Sequence, residues 1–385
     1  MPAQSVIVLF DVGKTNKKVF LLDEQYKIVW EQSQSLPETI DEDGETCEDV
    51  EKLTNWIQRT FAHVLTLRDF TIKAVNFSAY GASFVHIGVN GRPVAPLYNY
   101  LKPYPGTLKK QFYESYGGEI TFSMLTASPV LGSLNSGMQL YRIKQEKPEV
   151  YEQIQCSLHL PQYLSYLLTK QKYSDITSIG CHTNLWNFSQ EHYHEWVYRE
   201  GIIDKLAPIR GAEDVLPVGR TVSGIGLHDS SAAMIPYLQS FQEPFVLIST
   251  GTWCISMNPF SDSPLTVAEL QKDCLCYLSY QGRPVKASRL FAGYEHEEQV
   301  RRLAAHFHKD AGFAAEIAFD PELVTSLRDR EEELHVHHAA SGPPTSIFHQ
   351  RDLGTFENVE QAYHRLMMDI MVLQIASTQL VLHGT

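Results

Sequence analysis

Two strand–turn–strand patterns, each with a glycine and hydroxyl side chains at its turn, constrain the fold of this chain more than any other feature. The first runs through apolar Ser5 to Phe10, the turn Asp11 to Asn16, and apolar Lys18 to Leu22. The second runs through Phe245 to Ser249, the turn Thr250-Gly251-Thr252, and Trp253 to Met257. Each pattern predicts a β-hairpin that opens a domain. The repetition indicates an internal duplication, with domains at residues 1–240 and 241–385 around a central cleft.

The segments after the first hairpin alternate between helical and strand periodicity. Apolar residues recur at helical spacing over Glu48 to Leu67, and a strand follows at Ile72 to Phe77. A final helix is predicted over Glu357 to Leu382, after a polar segment, Thr325 to Arg351, that we expect to be a surface excursion. Alternating strands and helices place the chain in the α/β class.

Composition excludes several classes of protein. A chain of 385 residues with 43% hydrophobic content can bury a core and suggests two domains, while a net charge of −13 argues against nucleic acid as a partner. No uninterrupted apolar run approaches the roughly 18 residues of a membrane span, and the N-terminus lacks a signal-peptide pattern. Six scattered cysteines indicate reduced, mostly buried thiols. We therefore expect a cytoplasmic protein with no membrane partner.

The first turn carries groups that suit a polyphosphate. Gly13 lets the backbone approach a phosphate closely, Thr15 supplies a hydroxyl, and Lys14, Lys17 and Lys18 supply positive charge. Asp11, at the end of a buried strand, is a candidate to hold Mg²⁺ through water. Taken alone, the turn is better explained as a tight hairpin with polar side chains.

A candidate general base lies just before the second hairpin. Asp229 follows Gly226-Leu227-His228 and opens a helix of small residues, Ser230 to Ala233. Phosphoryl transfer to an alcohol needs a carboxylate that accepts the hydroxyl proton. Taken singly, Asp229 is better explained as a helix N-cap or an acidic residue in a first helical turn, but the order of the three motifs decides for the base.

Together these motifs resemble three sequential signatures of the FGGY carbohydrate kinases. The matching stretches are D-x-G-x-T-x-x-K at Asp11 to Lys18, G-x-H-D-S-S-A at Gly226 to Ala232, and S-T-G-T at Ser249 to Thr252. The resemblance implies two actin-like, ribonuclease-H-like domains, with sugar and Mg-ATP in the cleft. It also implies Asp229 as general base and Asp11 at Mg²⁺. Gly13, Thr15 and Lys18 would then lie at the first phosphate turn, and Gly251 and Thr252 at the second.

Within that family the chain is most similar to kinases of 6-deoxy-ketohexoses, rhamnulose and fuculose. The resemblance implies a sugar site at Tyr80, Gly81, Ser83 and His228, although serines stand where rhamnulokinases tend to have aspartates. The tract Tyr98 to Tyr104 either lines the sugar site or is a packed loop. The family's Gly-Gly-rich adenosine motif is missing, so we expect a truncated C-terminal domain that binds ATP poorly. A sugar-binding pseudokinase or regulatory protein remains the alternative, and a homodimer remains open.

Overall fold

The computed structural model describes residues 3–251, 253–310, 312–329 and 346–382, which form two compact units. The first unit comprises Met1–Glu243, Leu265–Leu270 and Leu275–Val285. The second comprises Pro244–Pro264, Gln271–Cys274 and Lys286–Thr385. The chain therefore returns twice to the first unit beyond residue 243, which a simple boundary at residue 240 does not anticipate.

The strands, in chain order, are β1 (Gln4–Val12), β2 (Lys17–Leu22), β3 (Ile28–Gln34), β4 (Thr39–Ile40), β5 (Thr46–Cys47), β6 (Phe70–Ala79), β7 (Phe84–Ile87), β8 (Cys156–His159), β9 (Ser174–Asp175), β10 (Trp186–Asn187), β11 (His192–Tyr193), β12 (Ile209–Arg210), β13 (Val215–Val218), β14 (Thr221–Gly224), β15 (Leu227–His228), β16 (Leu247–Ser249), β17 (Cys254–Asn258), β18 (Cys274–Leu278) and β19 (Pro284–Leu290). The α-helices are α1 (Val50–Val64), α2 (Gly106–Ser115), α3 (Glu119–Thr126), α4 (Ser136–Glu146), α5 (Pro148–Gln153), α6 (Leu160–Thr169), α7 (Ile176–Ile179), α8 (Glu195–Arg199), α9 (Asp229–Ser240), α10 (Val267–Leu270), α11 (Ala292–Phe307), α12 (Pro321–Asp329) and α13 (Val359–Leu382).

A mixed sheet forms the centre of the first unit. Its order is β13-β14-β6-β1-β2-β3, and β15 also pairs with β6. The predicted first hairpin is the antiparallel pair β1–β2, while β1, β14 and β15 all run parallel to β6. Because parallel neighbours start at one edge of a sheet and end at the other, the carboxyl ends of β1, β6 and β15 lie together.

Aromatic packing holds helix α1 against this sheet. Phe10 of β1 stacks on Phe77 of β6 at 5.4 Å between ring centroids, and Trp56 of α1 meets the edge of Phe10 at 5.6 Å. Asp49 caps α1 by accepting a hydrogen bond from Lys52 N. Alternate residues of β1 are fully buried, as expected for a strand with one face in the core.

In the second unit, the predicted second hairpin is the antiparallel pair β16–β17, and β17 also pairs antiparallel with β19. Helices α11 and α13 pack together through a core that includes Leu303, Leu366 and Ile370. Each unit thus opens with an antiparallel hairpin, as the sequence predicted.

Helix α13 is long and apolar enough, by length and composition, to cross a membrane. The prediction from uninterrupted apolar runs missed it because polar residues interrupt the segment without lowering its average hydropathy below that of a span. Several of those polar residues are buried and bonded within the unit: Asp369 pairs with Arg351, and Gln374 donates to Ser256. One such helix is weak evidence for a membrane span, since a core helix of a soluble protein has the same properties.

The polar segment Thr325 to Arg351 differs in part from the expected surface excursion. Helix α12 continues to Asp329, and Phe348 is fully buried against α11 and α13 residues. An apolar anchor therefore returns the chain to the core before Arg351. The histidines His335, His337 and His338 lie outside the described residues.

The six cysteines all lie within the described residues; none of them forms a disulfide there, and five are buried, with Cys254 partly exposed. Cys274 and Cys276 both lie on strand β18. The expectation of reduced, mostly buried cysteines is therefore confirmed.

Candidate active site

The carboxyl ends of three parallel strands collect most of the predicted site residues of the first unit. Asp11 lies opposite Ser78 in the β1–β6 register, and His228 lies opposite Ala79 in the β15–β6 register. Asp229 follows β15 directly and is the first residue of α9. Ligands of open α/β sheets bind at the carboxyl ends of the strands, so this edge is the candidate active site.

Asp11 and Asp229 interact electrostatically across this edge. Burial raises the pKa of Asp11, and the negative charge of Asp229 raises it further. A hydrogen bond from Ser78 and the positive charge of Lys18, which lies opposite Asp11 on β2, act in the other direction. Two carboxylates in this relation favour a cation beside them.

The first turn is closed by a hydrogen bond from Gly13 N to Asn16 O of 3.0 Å. Thr15 and Lys18 are exposed and able to meet a phosphate. The sequence suggested that Lys14 and Lys17 would also offer positive charge to a phosphate. Instead, Lys14 forms an ion pair with Glu38 at 2.6 Å, and Lys17 is buried. The reason is that Lys17 alternates with Lys18 along β2 and so faces the core.

Buried Lys17 forms an ion pair with Glu48, with 2.5 Å between Nζ and Oε1. Tyr80 donates its hydroxyl to Glu48 Oε2 at 2.6 Å. Burial and the charge of Glu48 raise the pKa of Tyr80 well above its usual range. The sequence predicts that Tyr80 contacts the sugar. In the structure its side chain is 8% exposed, and its hydroxyl is bonded to a structural carboxylate.

Gly226 sets the position of the strand that carries His228. Its φ of +89° lies in the left-handed region, and a Cβ there would be 2.3 Å from Pro161 O on helix α6. Gln162 also donates to Gly226 O at 2.7 Å. The first position of the G-x-H-D motif therefore accepts only glycine, because of its backbone angle and the close approach of Pro161 O.

His228 is buried and has polar neighbours around its ring. Nε2 lies 3.1 Å from Cys181 Sγ and 3.2 Å from Asp229 Oδ1, and Nδ1 lies 3.2 Å from Ser231 Oγ. The ring of Tyr277 meets it edge-on at 5.3 Å. Burial lowers the pKa of His228, and the charge of Asp229 only partly opposes this, so the imidazole is neutral.

Gly81 lies against the same imidazole. A Cβ at Gly81 would be 2.7 Å from Cys181 Sγ and 3.0 Å from His228 Cδ2, so the segment after β6 can approach the ring only without a side chain. Ser83 is 1% exposed, and its hydroxyl has no hydrogen-bond partner among the described residues. Of the predicted sugar contacts, Gly81 and His228 lie together next to Asp229.

Three residues near Asp229 were not singled out from sequence. Cys181 comes from the segment after α7, Ser231 from the first turn of α9, and Tyr100 from the tyrosine tract. Burial and the charge of Asp229 raise the pKa of Tyr100, whereas Tyr98 donates its hydroxyl to Glu42 within a packed cluster. The tract therefore contains both a residue near Asp229 and a packed one.

The second predicted turn belongs to the second unit. Gly251 is exposed directly after β16, and Thr252 lies outside the described residues. Trp253 stacks on Phe291 at 4.4 Å and anchors the strand that follows. The assignment of Gly251 and Thr252 to a phosphate stays a prediction.

Among the described residues, no cluster of three or more His, Cys, Asp or Glu side chains could hold a metal ion by itself. A cation at Asp11 would need oxygen ligands from a second molecule, which is the usual way that Mg²⁺ binds together with a nucleotide.

Comparison with solved structures shows the fold. The chain superposes on a carbohydrate kinase from Novosphingobium aromaticivorans with a TM-score of 0.78 and 23% identity, covering 98% of this chain and 83% of that one. A ligand-bound xylulose kinase from Lactobacillus acidophilus gives 0.77 at 14% identity, covering 99% and 79%. The fold is therefore the mixed α/β, two-domain fold of sugar kinases, as predicted.

Family models place the chain more closely. Residues 6–216 match the N-terminal domain of the FGGY family of carbohydrate kinases, and residues 242–319 match the C-terminal domain of carbohydrate kinase FGGY. The chain belongs to the FGGY family of carbohydrate kinases, which confirms the resemblance of its motifs.

Two curated relatives carry the name rhamnulokinase. One, from Halalkalibacterium halodurans, is 22% identical over 262 residues, which cover 63% of this chain and 52% of the relative. The other, from Oceanobacillus iheyensis, is 21% identical over 196 residues, covering 47% and 40%. The chain thus spans about half the length of the curated relatives it matches.

Proposed function

We propose that this chain is an ATP-dependent carbohydrate kinase that transfers the γ-phosphoryl group to a ketose hydroxyl, with Asp229 as general base. The observation that carries the proposal is the pair Asp11 and Asp229 at the carboxyl ends of β1 and β15, the two strands that both pair with β6, beside a glycine turn. Phosphoryl transfer requires a base for the acceptor hydroxyl and charge neutralisation of the phosphates, and this arrangement supplies groups for both.

Asp229 has the exposure and orientation of a base. Its side chain is 38% exposed, and Ser230 N donates to Oδ1 at 2.6 Å, so the backbone fixes the direction of the carboxylate. A sugar hydroxyl at this edge would give its proton to Asp229 as its oxygen attacks phosphorus.

Asp11 fits Mg²⁺ on chemical grounds. Its oxygens are the hard ligands that the ion prefers, and burial together with the neighbouring charge of Asp229 raises its pKa, an effect that a bound cation would oppose. Mg²⁺ would supply neutralisation of the phosphate charge. Gly13, Thr15 and Lys18 would contact the phosphates through backbone N–H, hydroxyl and ammonium groups.

The sugar is proposed from two sources. The motif around His228-Asp229 is similar to that of kinases for 6-deoxy-ketohexoses, and the two curated relatives are named rhamnulokinases. Fold relatives include xylulose and gluconate kinases. We propose rhamnulose or fuculose as the substrate, with Tyr80, Gly81, Ser83 and His228 forming the sugar side of the site.

The test is ADP release measured with a coupled assay over rhamnulose, fuculose, xylulose, gluconate and glycerol. Asp229→Asn should lower kcat by about 100-fold or more and leave the dissociation constant of the sugar nearly unchanged, because the amide cannot accept the proton. Asp204→Asn, at an exposed aspartate of the first unit, is the matched control and should retain full turnover. Full turnover by Asp229→Asn would refute the assignment.

The alternative, a sugar-binding pseudokinase or regulatory protein, predicts calorimetric sugar binding without ADP release from the unaltered chain. The family model of the C-terminal domain matches residues 242–319 only. The dissociation constant of ATP is therefore measured in the same calorimetric experiment. We further expect a cytoplasmic protein whose partners are sugar and ATP, without nucleic acid or membrane; a homodimer remains open.

A further inference from the structure

The hydrogen atoms around His228 can be assigned from its neighbours. Ser231 Oγ donates its hydrogen to Leu278 O at 3.0 Å. A hydroxyl has a single hydrogen, so towards His228 Nδ1, at 3.2 Å, Ser231 can only accept. Nδ1 therefore carries the hydrogen of the neutral ring, and Nε2 carries a lone pair.

That lone pair faces two groups. Cys181 Sγ, at 3.1 Å, donates its S–H to Nε2 in the resting site, and Asp229 Oδ1 lies 3.2 Å from the same nitrogen. A lone pair and an ionised carboxylate form no hydrogen bond with each other. Once Asp229 has accepted a proton, that proton can be held between Oδ1 and Nε2.

We propose that His228 is a positioning residue for the base: Ser231 holds it as the Nδ1–H tautomer, so that its Nε2 lone pair stabilises Asp229 only after the sugar proton has arrived. This role rests on the proposed kinase function. Because this interaction is absent from the ground state and grows as the proton moves to Asp229, it is stronger in the transition state and so raises kcat.

The step balances without a further reactant. The sugar O–H bond breaks as its oxygen forms a bond to the γ-phosphorus of ATP, and the bond from that phosphorus to the β-phosphate oxygen breaks to release ADP. The proton passes to Asp229 and is shared with His228 Nε2 until it leaves with solvent. Cys181 gives up its hydrogen bond to Nε2 for that interval, at little cost, because a thiol is a weak donor.

The other groups that face this pair are compatible with a neutral imidazole. Thr177 Oγ1 accepts from His228 N at 3.0 Å and fixes the backbone. Burial lowers the pKa of His159, and the nearby His228 lowers it further, so the two rings are not both protonated. Further ionisable groups that interact with the ring or with Asp229 are Asp11, Tyr100 and Tyr277.

The first measurement does not depend on activity. In protein labelled with ¹³C and ¹⁵N in its histidine rings, the ring shifts report the tautomer, and the His228→Asn variant assigns the signal. We expect Nδ1–H in the unaltered protein and Nε2–H in Ser231→Ala, where Nδ1 has lost its acceptor. An Nε2–H tautomer in the unaltered protein would overturn the role, even if the kinase is active.

The second measurement separates positioning from folding. Ser231→Ala should lower kcat about 10- to 100-fold, with less than about a threefold change in KM for the sugar, because Nε2–H then holds Asp229 as the ionised carboxylate. Ser165→Ala is the matched control: it is a buried serine that donates to a backbone carbonyl, Gly224 O, at 2.7 Å, away from the site. Equal losses of kcat in both variants would reduce Ser231 to a structural role.

A third variant addresses rescue. Ser231→Thr keeps the hydroxyl, so it should return both the Nδ1–H tautomer and most of the lost kcat. A Ser231→Thr chain with the Nδ1–H tautomer and the low kcat of Ser231→Ala would contradict the proposal. If the unaltered chain phosphorylates no sugar, the role fails together with the proposed function, whereas an active chain with an unchanged Ser231→Ala kcat removes the role alone.

Discussion

Replacing Lys17 by methionine tests how the first hairpin is held in place. Lys17 and Glu48 have side chains only 2% and 5% exposed, and the ammonium group also donates to Lys14 O at 2.9 Å within the predicted phosphate turn. Methionine has a similar shape and no charge. The substitution therefore leaves Glu48 as a buried carboxylate with no cationic partner.

The size of the effect follows from what Glu48 keeps. Removing one partner of a buried ion pair costs about 3–5 kcal/mol, mainly because the remaining charge is uncompensated. Glu48 retains the hydrogen bond from Tyr80 at 2.6 Å, which places the expected loss near the lower limit, at about 3 kcal/mol. For a unit of this size such a loss lowers Tm by about 6–12 °C.

The assay is urea unfolding followed by circular dichroism, on Lys17→Met, Glu48→Gln and the double variant. Glutamine removes the charge and keeps an oxygen for Tyr80, so the double variant should recover about 2 kcal/mol relative to Lys17→Met. A loss below about 1 kcal/mol in Lys17→Met, or additive losses in the double variant, would refute the reasoning that an isolated carboxylate is the cause.

Two further predictions concern packing and acid stability. Gly81→Ala should destabilise the fold by about 1–3 kcal/mol, because its Cβ would lie 2.7 Å from Cys181 Sγ; combining it with Cys181→Ala should relieve most of that loss in urea unfolding, and an equal loss in both backgrounds would contradict it. Burial lowers the pKa values of His86 and His159 to about 3, whereas both residues protonate near 6.5 in the unfolded chain. The unfolded chain therefore binds more protons as pH falls from 6 to 5, and each residue should lower the free energy of unfolding by about 1 kcal/mol over this range. Burial raises the pKa of Asp175 to about 6, so the folded chain takes up this proton first and Asp175 acts with the opposite sign. Asp175→Asn should therefore make the free energy of unfolding fall more steeply from pH 6 to 5. A free energy of unfolding that does not change over this range in the unaltered chain would contradict the sign.

Local patterns predicted the elements that carry the site. Strand β1, strand β6 and helix α1 were each predicted within a few residues, because apolar periodicity and turn chemistry are set by neighbours along the chain. Asp229 was placed at the start of a helix for the same reason, and α9 begins there. The order of the motifs sufficed to indicate the family.

Interactions across packed elements were not predictable in this way. Nothing near Lys17 in the sequence shows that it faces Glu48, and nothing near Cys181 shows that its thiol meets His228. These contacts depend on strand register and on the close approach that Gly81 permits, which join residues tens of positions apart. Sequence alone therefore indicated which groups could perform phosphoryl transfer, while the tertiary structure decided which lysine is buried and which residues surround the base, because only folding sets distances between remote parts of a chain.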